Sequence, residues 1–463
     1  MARDQLDMTP VQSRDDLVRW LEQGVRPRSG FRLGTEHEKF VFTRDRHAPV
    51  PYEGERSIRA LLDGMQRLSG WDPIIEGGKI IGLLDAKGGG AITLEPGGQF
   101  ELSGAAVETL HETAAELTAH FKHAHGVAEP LGMGFLGIGM TPKWSRADMP
   151  MMPKGRYRIM TAYMPRVGGH GLDMMYRTCT VQANLDFCSE ADMVKKLRVG
   201  LALQPLATAM FANSPFTEGK PNGFLSFRSQ IWLDTDKDRT GMLPWAFESG
   251  MGFERWVDYA LDVPMYFIKR GDKYIDAAGQ SFRDLLAGKL PALPGERATL
   301  SDWANHLSTI FPEVRLKRYL EMRGADSAPA DRLIALPAFW VGLLYDEQSL
   351  DAAWGLVKDW SAVERQQWRN DVPRHGLKAT IAGRSALDLA RECFALAHAG
   401  LKRRDRRDAG GNDETRYLEP LRTFLERGIT AAEHLLEKFH GSWRGSVEPL
   451  FDHRQAEVTT GDR

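Results

Sequence analysis

Thr178-Cys179-Thr180-Val181-Gln182-Ala183-Asn184-Leu185-Asp186-Phe187 alternates between polar and apolar side chains without interruption. The odd positions are all apolar, whereas the even positions carry Thr, Thr, Gln, Asn and Asp. Because successive side chains of a β-strand point to opposite faces of a sheet, this segment predicts a strand with one face in a core. The other face presents Gln182 and Asn184 side by side.

Two further segments place charged side chains on one face by the same rule. In residues 31–40, Glu36 and Glu38 share a face and His37 takes the opposite one. In residues 319–323, Glu321 and Arg323 share a face, and the leucine and methionine beside them take the other. The same parity joins a third set in residues 93–102, although a Pro-Gly-Gly at 96–98 predicts a break in that strand. This third set is Glu95, Gln99 and Glu101.

These polar faces are unusually rich in carboxylates. A face that is only solvated is common in antiparallel sheets, but it usually mixes Lys, Arg, Thr and Ser with acidic residues. Neighbouring carboxylates without partners repel each other, and a hard divalent cation with oxygen ligands removes that repulsion. Parity alone leaves both a solvated face and a magnesium site open.

The rest of the chain alternates helical spacing with short strands and glycine-rich turns. We expect an α+β fold in which an antiparallel sheet is backed by helices on one face. No stretch rich in Pro, Gly or Ser divides the chain, so residues 1–463 are interpreted as a single domain. The expected helices are 9–23, 58–68, 107–127, 191–211, 254–261, 299–309, 349–357, 384–401 and 416–438. The expected strands are 31–42, 74–75, 80–84, 91–94, 135–140, 174–188, 264–268 and 314–323.

The composition favours a small-molecule partner. Lys and Arg number 60 and Asp and Glu 62, a net charge of −2, so there is no general basic field for nucleic acid or an anionic membrane. No run approaches the roughly 18 apolar residues of a membrane span. The N-terminus resembles neither a signal nor a transit peptide, and three cysteines without a C-x-x-C pair favour a reducing compartment. We expect a cytoplasmic monomer or homodimer that binds neither nucleic acid nor membrane.

The sequence supports neither a P-loop nor a dinucleotide-binding fingerprint. The G-x-G-x-x-G at 132–137 follows a predicted helix and opens none, and the chain has no Walker A sequence. Basic residues near the polar segments are candidate anchors for anionic substrates, because Arg holds carboxylates and phosphates through paired hydrogen bonds. Each of them taken singly is more often a surface charge. They are Arg156 and Arg228, both in segments expected to be loops, together with Lys237 and Arg239.

With these residues in view, the chain resembles the plant-type glutamate–cysteine ligases, which also occur in proteobacteria. The resemblance covers most of residues 30–345. It implies a fold similar to the catalytic domain of glutamine synthetase, with an antiparallel sheet curved around a magnesium–ATP site. The segments that carry it are GTEHEKF (34–40), LEPGGQFELSGA (94–105), TCTVQANLDF (178–187), LALQPLATAMFANSPFTEGKPNGFLSFRSQIW (201–232), DTDKDRTGMLP (234–244), DYALDVPMYF (258–267) and FPEVRLKRYLEMRGAD (311–326).

The resemblance also implies chemistry and roles for these residues. ATP would phosphorylate the γ-carboxylate of L-glutamate, and the amine of L-cysteine would displace phosphate, giving γ-glutamylcysteine for glutathione synthesis. Arg323, Lys237 and Arg239 would face phosphates. Arg156 and Arg228 would hold substrate carboxylates, with Tyr266 lining the cysteine pocket. The implied magnesium ligands are Glu36, Glu38, Glu95, Glu101, Gln182, Asn184 and Glu321.

Two points limit the resemblance. Ala277, Ala292 and Ile334 stand in segments where the plant enzymes carry regulatory cysteines, so that redox switch is not expected here. A related carboxylate–amine ligase with a different acceptor amine remains an alternative, and so does a non-catalytic magnesium or amino-acid binding protein. Release of ADP with different amino acids separates these three functions.

Overall fold

The structure, a computed structural model, describes residues 7–452. Its strands, in chain order, are β1 (Leu33–Thr43), β2 (Ala48–Pro49), β3 (Asp72–Glu76), β4 (Lys79–Leu84), β5 (Ala91–Leu94), β6 (Phe100–Ser103), β7 (Met133–Leu136), β8 (Thr180–Leu185), β9 (Phe216–Thr217), β10 (Lys220–Pro221), β11 (Thr240–Gly241), β12 (Phe267–Arg270), β13 (Lys273–Asp276), β14 (Phe311–Pro312), β15 (Val314–Leu316), β16 (Leu320–Asp326), β17 (Thr380–Ile381) and β18 (Arg384–Ser385).

The α-helices vary from single turns to more than five turns. In chain order they are α1 (Arg14–Glu22), α2 (Ile58–Ser69), α3 (Leu110–Ala128), α4 (Gly155–Tyr163), α5 (Gly171–Arg177), α6 (Glu190–Met210), α7 (Phe227–Trp232), α8 (Phe253–Asp262), α9 (Phe282–Leu286), α10 (Leu300–Ser308), α11 (Ala330–Leu333), α12 (Ala335–Leu344), α13 (Glu347–Val357), α14 (Ala362–His375), α15 (Ala386–Arg404), α16 (Glu419–Arg427), α17 (Ala431–His440) and α18 (Pro449–Asp452).

A ten-stranded sheet lies at the centre of the structure. Its main order is β15-β16-β8-β1-β6-β5-β4-β3, with β2 and β7 also paired to β1. Every ladder in this sheet is antiparallel. The predicted α+β class with an antiparallel sheet is therefore confirmed. The long strand β1 holds the sheet together, because Glu36 and His37 pair with β8 along one edge and with β6 along the other, and β2 and β7 both pair with Phe42 and Thr43 near its end.

The register brings the predicted polar residues opposite one another. Glu36 on β1 lies opposite Gln182 on β8, and Glu38 lies opposite Glu101 on β6. Glu321 on β16 lies opposite Asn184 on β8. Directly opposed residues in an antiparallel pair have their side chains about 5 Å apart. The polar residues of four separate strands therefore form one surface of the sheet.

Helices cover the other surface, as the alternation predicts. Val181 and Leu185 of β8 belong to a core that includes Leu197 of α6 and Phe339 of α12, and all four are almost fully buried. Helix α6 packs against β16, and α12 packs against β8. This apolar layer fixes which face of each strand is left for polar side chains.

Two of the predicted strands are wrong in extent. Residues 174–188 do not form one strand, because α5 continues to Arg177 and β8 begins only at Thr180. Residues 314–323 form a hairpin, in which Lys317–Tyr319 makes the turn between β15 and β16. Alternating side chains do not reveal a tight turn that contains no Gly or Pro, and the hairpin changes which residues face each other.

Several helical segments also differ from the predictions. Helix α12 was not expected, because its residues are apolar on every side and show no helical period; all ten are buried. Helix α14 was not expected either. The single helix predicted over 416–438 is two helices, since Gly428 ends α16 in the left-handed conformation with φ 66°.

The segments carrying Arg156 and Arg228 are helical and not loops. Arg156 lies in the first turn of α4, and Arg228 lies in the first turn of α7. Short polar residues and nearby Pro and Gly made both segments resemble turns. In α7 the hydroxyl of Ser226 accepts a hydrogen bond from the backbone N–H of Ser229, which begins the helix.

Candidate active site

The polar surface of the sheet forms one wall of a cavity of about 370 Å³. Six of the seven predicted magnesium ligands line it, and Gln99, Arg156, Arg228 and Arg323 line it as well. The six are Glu36, Glu38, Glu95, Glu101, Gln182 and Asn184. Residues separated by more than 140 positions are thus brought to one cavity by strand pairing.

The first group of predicted ligands lies on the pair β1 and β6 and in the turn that precedes β6. Glu38 accepts a hydrogen bond from the backbone N–H of Thr180 at 3.0 Å, and Glu101 accepts one from the hydroxyl of Ser103 at 3.2 Å. Burial and the carboxylates of Glu95 and Glu101 raise the pKa of Glu38 well above its usual range. Burial, followed by Glu95 and Glu36, raises the pKa of Glu101 to about 7. These three carboxylates repel each other in the absence of a cation.

A second group lies nearer the start of β1. Asn184 Nδ2 donates to Glu36 Oε1 at 2.9 Å, and Gln182 Oε1 accepts from Arg323 Nη1 at 2.9 Å. The oxygen Oδ1 of Asn184 is buried and, within residues 7–452, has no hydrogen-bond partner. Carboxylate and amide oxygens of this kind are the ligands that hard cations prefer.

Glu321 has different surroundings from the other predicted ligands. It is fully buried beneath the cavity wall, where Arg315 Nη2 contacts its two oxygens at 2.6 and 2.9 Å and Lys317 Nζ lies 3.1 Å away. Arg323 also contacts it. Although burial opposes ionisation, these three cations hold the pKa of Glu321 well below its usual range. A metal would reach Glu321 only by displacing one of them.

Arg315 and Lys317 were missed from the sequence. Both are buried and line the cavity, because the β15–β16 hairpin places Arg315 opposite Glu321. Interpreting 314–323 as one straight strand hid this pairing. The signal was present in the alternation of Arg315, Lys317 and Tyr319, whose side chains share one parity.

The two predicted substrate anchors both reach the cavity. Arg228 is 3% exposed, and its Nη2 donates to the backbone carbonyl of Arg323 at 3.1 Å. Arg156 lies over the ring of Tyr157, and its buried Nε has no hydrogen-bond partner within residues 7–452. Both guanidinium groups therefore retain donors for a ligand. Apolar walls beside them come from Trp232, Phe311, Phe267, Met160, Met174 and Met175.

Three other predicted residues do not line the cavity. Lys237 is exposed. Arg239 is fully buried, and it donates to Asp236 Oδ2 at 2.6 Å and to two backbone carbonyls at 2.7 and 3.0 Å. Its guanidinium stacks on the ring of Tyr266, whose hydroxyl also bonds to Asp236 at 3.3 Å. These contacts occupy the guanidinium of Arg239 and the hydroxyl of Tyr266 in this structure. The roles given to Lys237, Arg239 and Tyr266 stay predictions.

Known proteins with similar sequences are glutamate–cysteine ligases. The sequence profile of glutamate-cysteine ligase family 2 (GCS2) matches residues 32–453. The chain is 56% identical over 451 residues to the chloroplastic glutamate–cysteine ligase of Medicago truncatula, covering 97% of this chain and 87% of that protein. It is 57% identical over 440 residues to the chloroplastic enzyme of Arabidopsis thaliana, covering 95% and 82%.

The chain belongs to glutamate–cysteine ligase family 2.

Solved structures show the same fold at much lower sequence identity. A glutamate–cysteine ligase from Francisella tularensis, in complex with AMP, aligns with a TM-score of 0.53 and 13% identity, covering 93% of this chain and 90% of that one. A bifunctional glutathione synthetase from Pasteurella multocida aligns with a TM-score of 0.52 and 12% identity, covering 96% and 54%. The family fold is therefore found well beyond the plant relatives.

Within this family fold, the donor set suits a hard divalent cation. Among residues 7–452, no three His, Cys, Asp or Glu side chains already surround one point as a bound metal requires. Burial and neighbouring carboxylates nevertheless raise the pKa values of Glu38 and Glu101, and Asn184 Oδ1 has no hydrogen-bond partner in this range, so the wall offers an excess of acceptors to a cation. A cation would remove that excess. In the same described range, no helix has the length and hydrophobicity to span a membrane.

Proposed function

We propose that this family member is a magnesium- and ATP-dependent glutamate–cysteine ligase. The proposed reaction transfers the γ-phosphoryl group of ATP to an oxygen of the glutamate γ-carboxylate and releases ADP. The amine nitrogen of cysteine then attacks the acyl carbon, inorganic phosphate leaves, and a proton is lost as the amide forms. The product is γ-glutamylcysteine. The family match and the meeting of carboxylates with Arg156 and Arg228 in one cavity support this proposal.

The cavity residues are assigned by charge. Glu38, Glu95 and Glu101 would hold one Mg²⁺, and Glu36 with Gln182 and Asn184 would contribute to a second position. When bound, the metal would supply positive charge to phosphate oxygens. The residues of these two groups all line one wall of the cavity, so phosphate and γ-carboxylate would meet there.

Cationic side chains would neutralise charge during phosphoryl transfer. We assign this role to Arg315, Lys317 and Arg323 in place of Lys237 and Arg239. The three line the cavity and share a single carboxylate, Glu321, so positive charge remains there for a phosphate. Fixed donors aimed at developing charge are the main way such enzymes lower the barrier. Arg156 and Arg228 would each hold an amino-acid carboxylate and orient it.

Localisation, domain organisation and partners are part of the same proposal. We place the enzyme in the cytoplasm, whereas the plant relatives are named as chloroplastic proteins. We also keep residues 1–463 as one catalytic domain and expect no nucleic-acid partner.

The proposed function has a direct test. Purified protein is mixed with ATP, Mg²⁺ and glutamate, each common amino acid is offered in turn, and ADP and the γ-glutamyl product are measured. We expect product with cysteine far above that with other amines, and none after chelation of Mg²⁺. A preference for another amine would make this a related carboxylate–amine ligase, and no ADP release with any amine would make it a binding protein.

A further inference from the structure

Asp326, the last residue of β16, is a fully buried carboxylate that the proposed reaction does not use. Within residues 7–452 it forms no ion pair with Lys or Arg at contact distance. Its oxygens instead accept three hydrogen bonds. The donors are Asn213 N at 2.8 Å, Ser214 Oγ at 2.7 Å and Ser226 Oγ at 2.8 Å.

The two serines connect this carboxylate to the start of α7. Ser226 Oγ donates to Asp326 and accepts from the backbone N–H of Ser229 at 3.2 Å. Ser214 Oγ donates to Asp326 and accepts from the backbone N–H of Arg228 at 3.2 Å. A hydroxyl has one proton to donate, so an acceptor at Asp326 fixes both hydroxyls with their lone pairs towards α7. Two backbone N–H groups in the first turn of the helix are satisfied this way.

The same helix is also attached to β16 by Arg228 itself. Its guanidinium donates to the carbonyl of Arg323, which lies where the β16–β8 register shifts between Met322 and Ala325 and also accepts from Thr180 Oγ1 at 3.5 Å. Arg228 is thus held at its backbone through Ser214 and at its side chain through the irregular part of β16. Both attachments belong to the strand that carries Glu321 and Arg323.

The site around Asp326 leaves little freedom. A Cβ built on Gly139 would lie 2.4 Å from Asp326 Cγ, so only glycine allows the carboxylate to occupy this place. Burial raises the pKa of Asp326, and the guanidinium charge of Arg228 opposes this effect. The chain therefore keeps a buried acceptor-only group at the base of α7.

We propose that Asp326 is a positioning residue that sets Arg228 for substrate binding through Ser214 and Ser226. The proposal rests on the proposed function, in which Arg228 holds an amino-acid carboxylate. Asparagine at 326 presents one amide NH₂ where an acceptor is needed. The hydroxyl of Ser214 or Ser226 that faces this NH₂ can then no longer donate to residue 326, and its proton points elsewhere. The backbone N–H in the first turn of α7 that donated to this hydroxyl loses a fixed acceptor.

A double-mutant cycle between Asp326→Asn and Arg228→Lys tests this role. We expect Asp326→Asn to raise the KM of the same amino acid that Arg228→Lys affects, by about tenfold, with the KM of ATP unchanged. In the Arg228→Lys background, Asp326→Asn should have little further effect. Glu414→Gln is the matched control, because Glu414 is a fully buried carboxylate that accepts the Leu110 N–H at the start of α3. Glu414→Gln should lower Tm and leave the KM of that amino acid and the KM of ATP unchanged.

Two results would overturn the proposal: independent, multiplying effects in the double variant, or a lower Tm for Asp326→Asn with unchanged KM values. If Asp326→Asn does not fold, Ser214→Ala and Ser226→Ala enter the same cycle, and the same results decide. A wild-type protein that forms no γ-glutamyl product would refute the proposed function instead. In that case the dissociation constant of glutamate, measured by calorimetry, replaces KM as the quantity compared in the double-mutant cycle.

Discussion

Glu38 and Glu321 belong to one polar surface, yet their surroundings are electrostatically opposite. Glu38 faces other carboxylates, which together with burial raise its pKa. Glu321 is surrounded by three cations, which lower its pKa. Removing charge from Glu38 relieves repulsion, whereas removing it from Glu321 exposes three buried cations to each other. The two substitutions should therefore differ in stability even if both reduce activity.

Glu38→Gln and Glu101→Gln should reduce turnover strongly without lowering Tm in the absence of metal. Each change removes a charged oxygen ligand and at the same time removes mutual repulsion. Rates are measured across a range of Mg²⁺ concentrations, with Glu53→Gln, an exposed carboxyl paired to Lys79, as the control. Near-normal rates at limiting Mg²⁺ in both variants would refute the metal assignment.

Glu321→Gln should destabilise the protein. Loss of one partner from a buried ion pair leaves the remaining charges uncompensated, which typically costs about 3–5 kcal/mol. Denaturant unfolding of the variant and the wild type measures this difference. A variant as stable as the wild type would show that the cations around Glu321 are held mainly by other groups.

Arg156→Lys and Arg228→Lys should each raise the KM of an amino acid and leave that of ATP nearly unchanged. Lysine keeps the charge but loses the paired hydrogen bonds of the guanidinium, worth roughly 1.5–3 kcal/mol, or about one to two powers of ten in affinity. Arg422→Lys, on an exposed pair with Glu419, is the control. A change confined to the KM of ATP would move both arginines to the phosphate site.

At the scale of elements, alternation along strands predicted more than any other signal. It placed Glu36, Glu38, Gln182 and Asn184 correctly because one face of each strand must enter the core. It could not show the Lys317–Tyr319 turn, so Arg315 was missed. Residue type made Arg239 a candidate anion anchor, whereas its phosphate role and the role of Tyr266 came from the resemblance. Local sequence carries no information on their burial against Asp236.

Helix α3 and the loop that leads from β6 to it are joined by one carboxyl group with a raised pKa. Glu116 accepts the Ala105 N–H at 2.7 Å, and burial raises its pKa to about 7 despite this bond. Gly104 and Ala106 of this loop line the cavity. Protonation of Glu116 therefore affects the stability of the loop that lines the cavity.

Glu116→Gln should make the protein more stable than the wild type above neutral pH. Because the pKa of Glu116 is higher folded than unfolded, the folded state binds more protons between about pH 4.5 and 7. Wild-type stability falls as pH rises through that window, and the glutamine variant lacks this loss. Tm at pH 5 and pH 8 measures it, with exposed Glu129→Gln as the control. An equal Tm difference at both pH values would contradict the linkage.

At the scale of the whole molecule, two of the three cysteines are shielded from solvent. Cys179 and Cys393 are buried, and burial raises the pKa of both thiols. Ala277, at one of the positions where the plant relatives are expected to carry cysteine, is fully buried. Inert thiols of this kind react slowly with oxidants.

Activity should therefore be the same after oxidation and after dithiol reduction. Rates are compared under both conditions for the wild type and for Cys188→Ser, since Cys188 is the partly exposed thiol in the described range. A large, reversible gain on reduction that disappears in Cys188→Ser would establish a redox switch through that residue.

The central place of β1 has a consequence for biosynthesis. This strand emerges early from the ribosome, but its partner β8 ends at Leu185 and the strand beside β8 ends at Asp326. At ~5–20 residues per second, one edge of β1 waits on the order of ten seconds for β8. During that interval the nascent chain exposes an unpaired strand edge, whose N–H and C=O groups can pair with another chain. The cations of β15 and β16 arrive still later, so the carboxylates of β1 and β6 are the first part of the catalytic wall to form and its phosphate-binding part is the last.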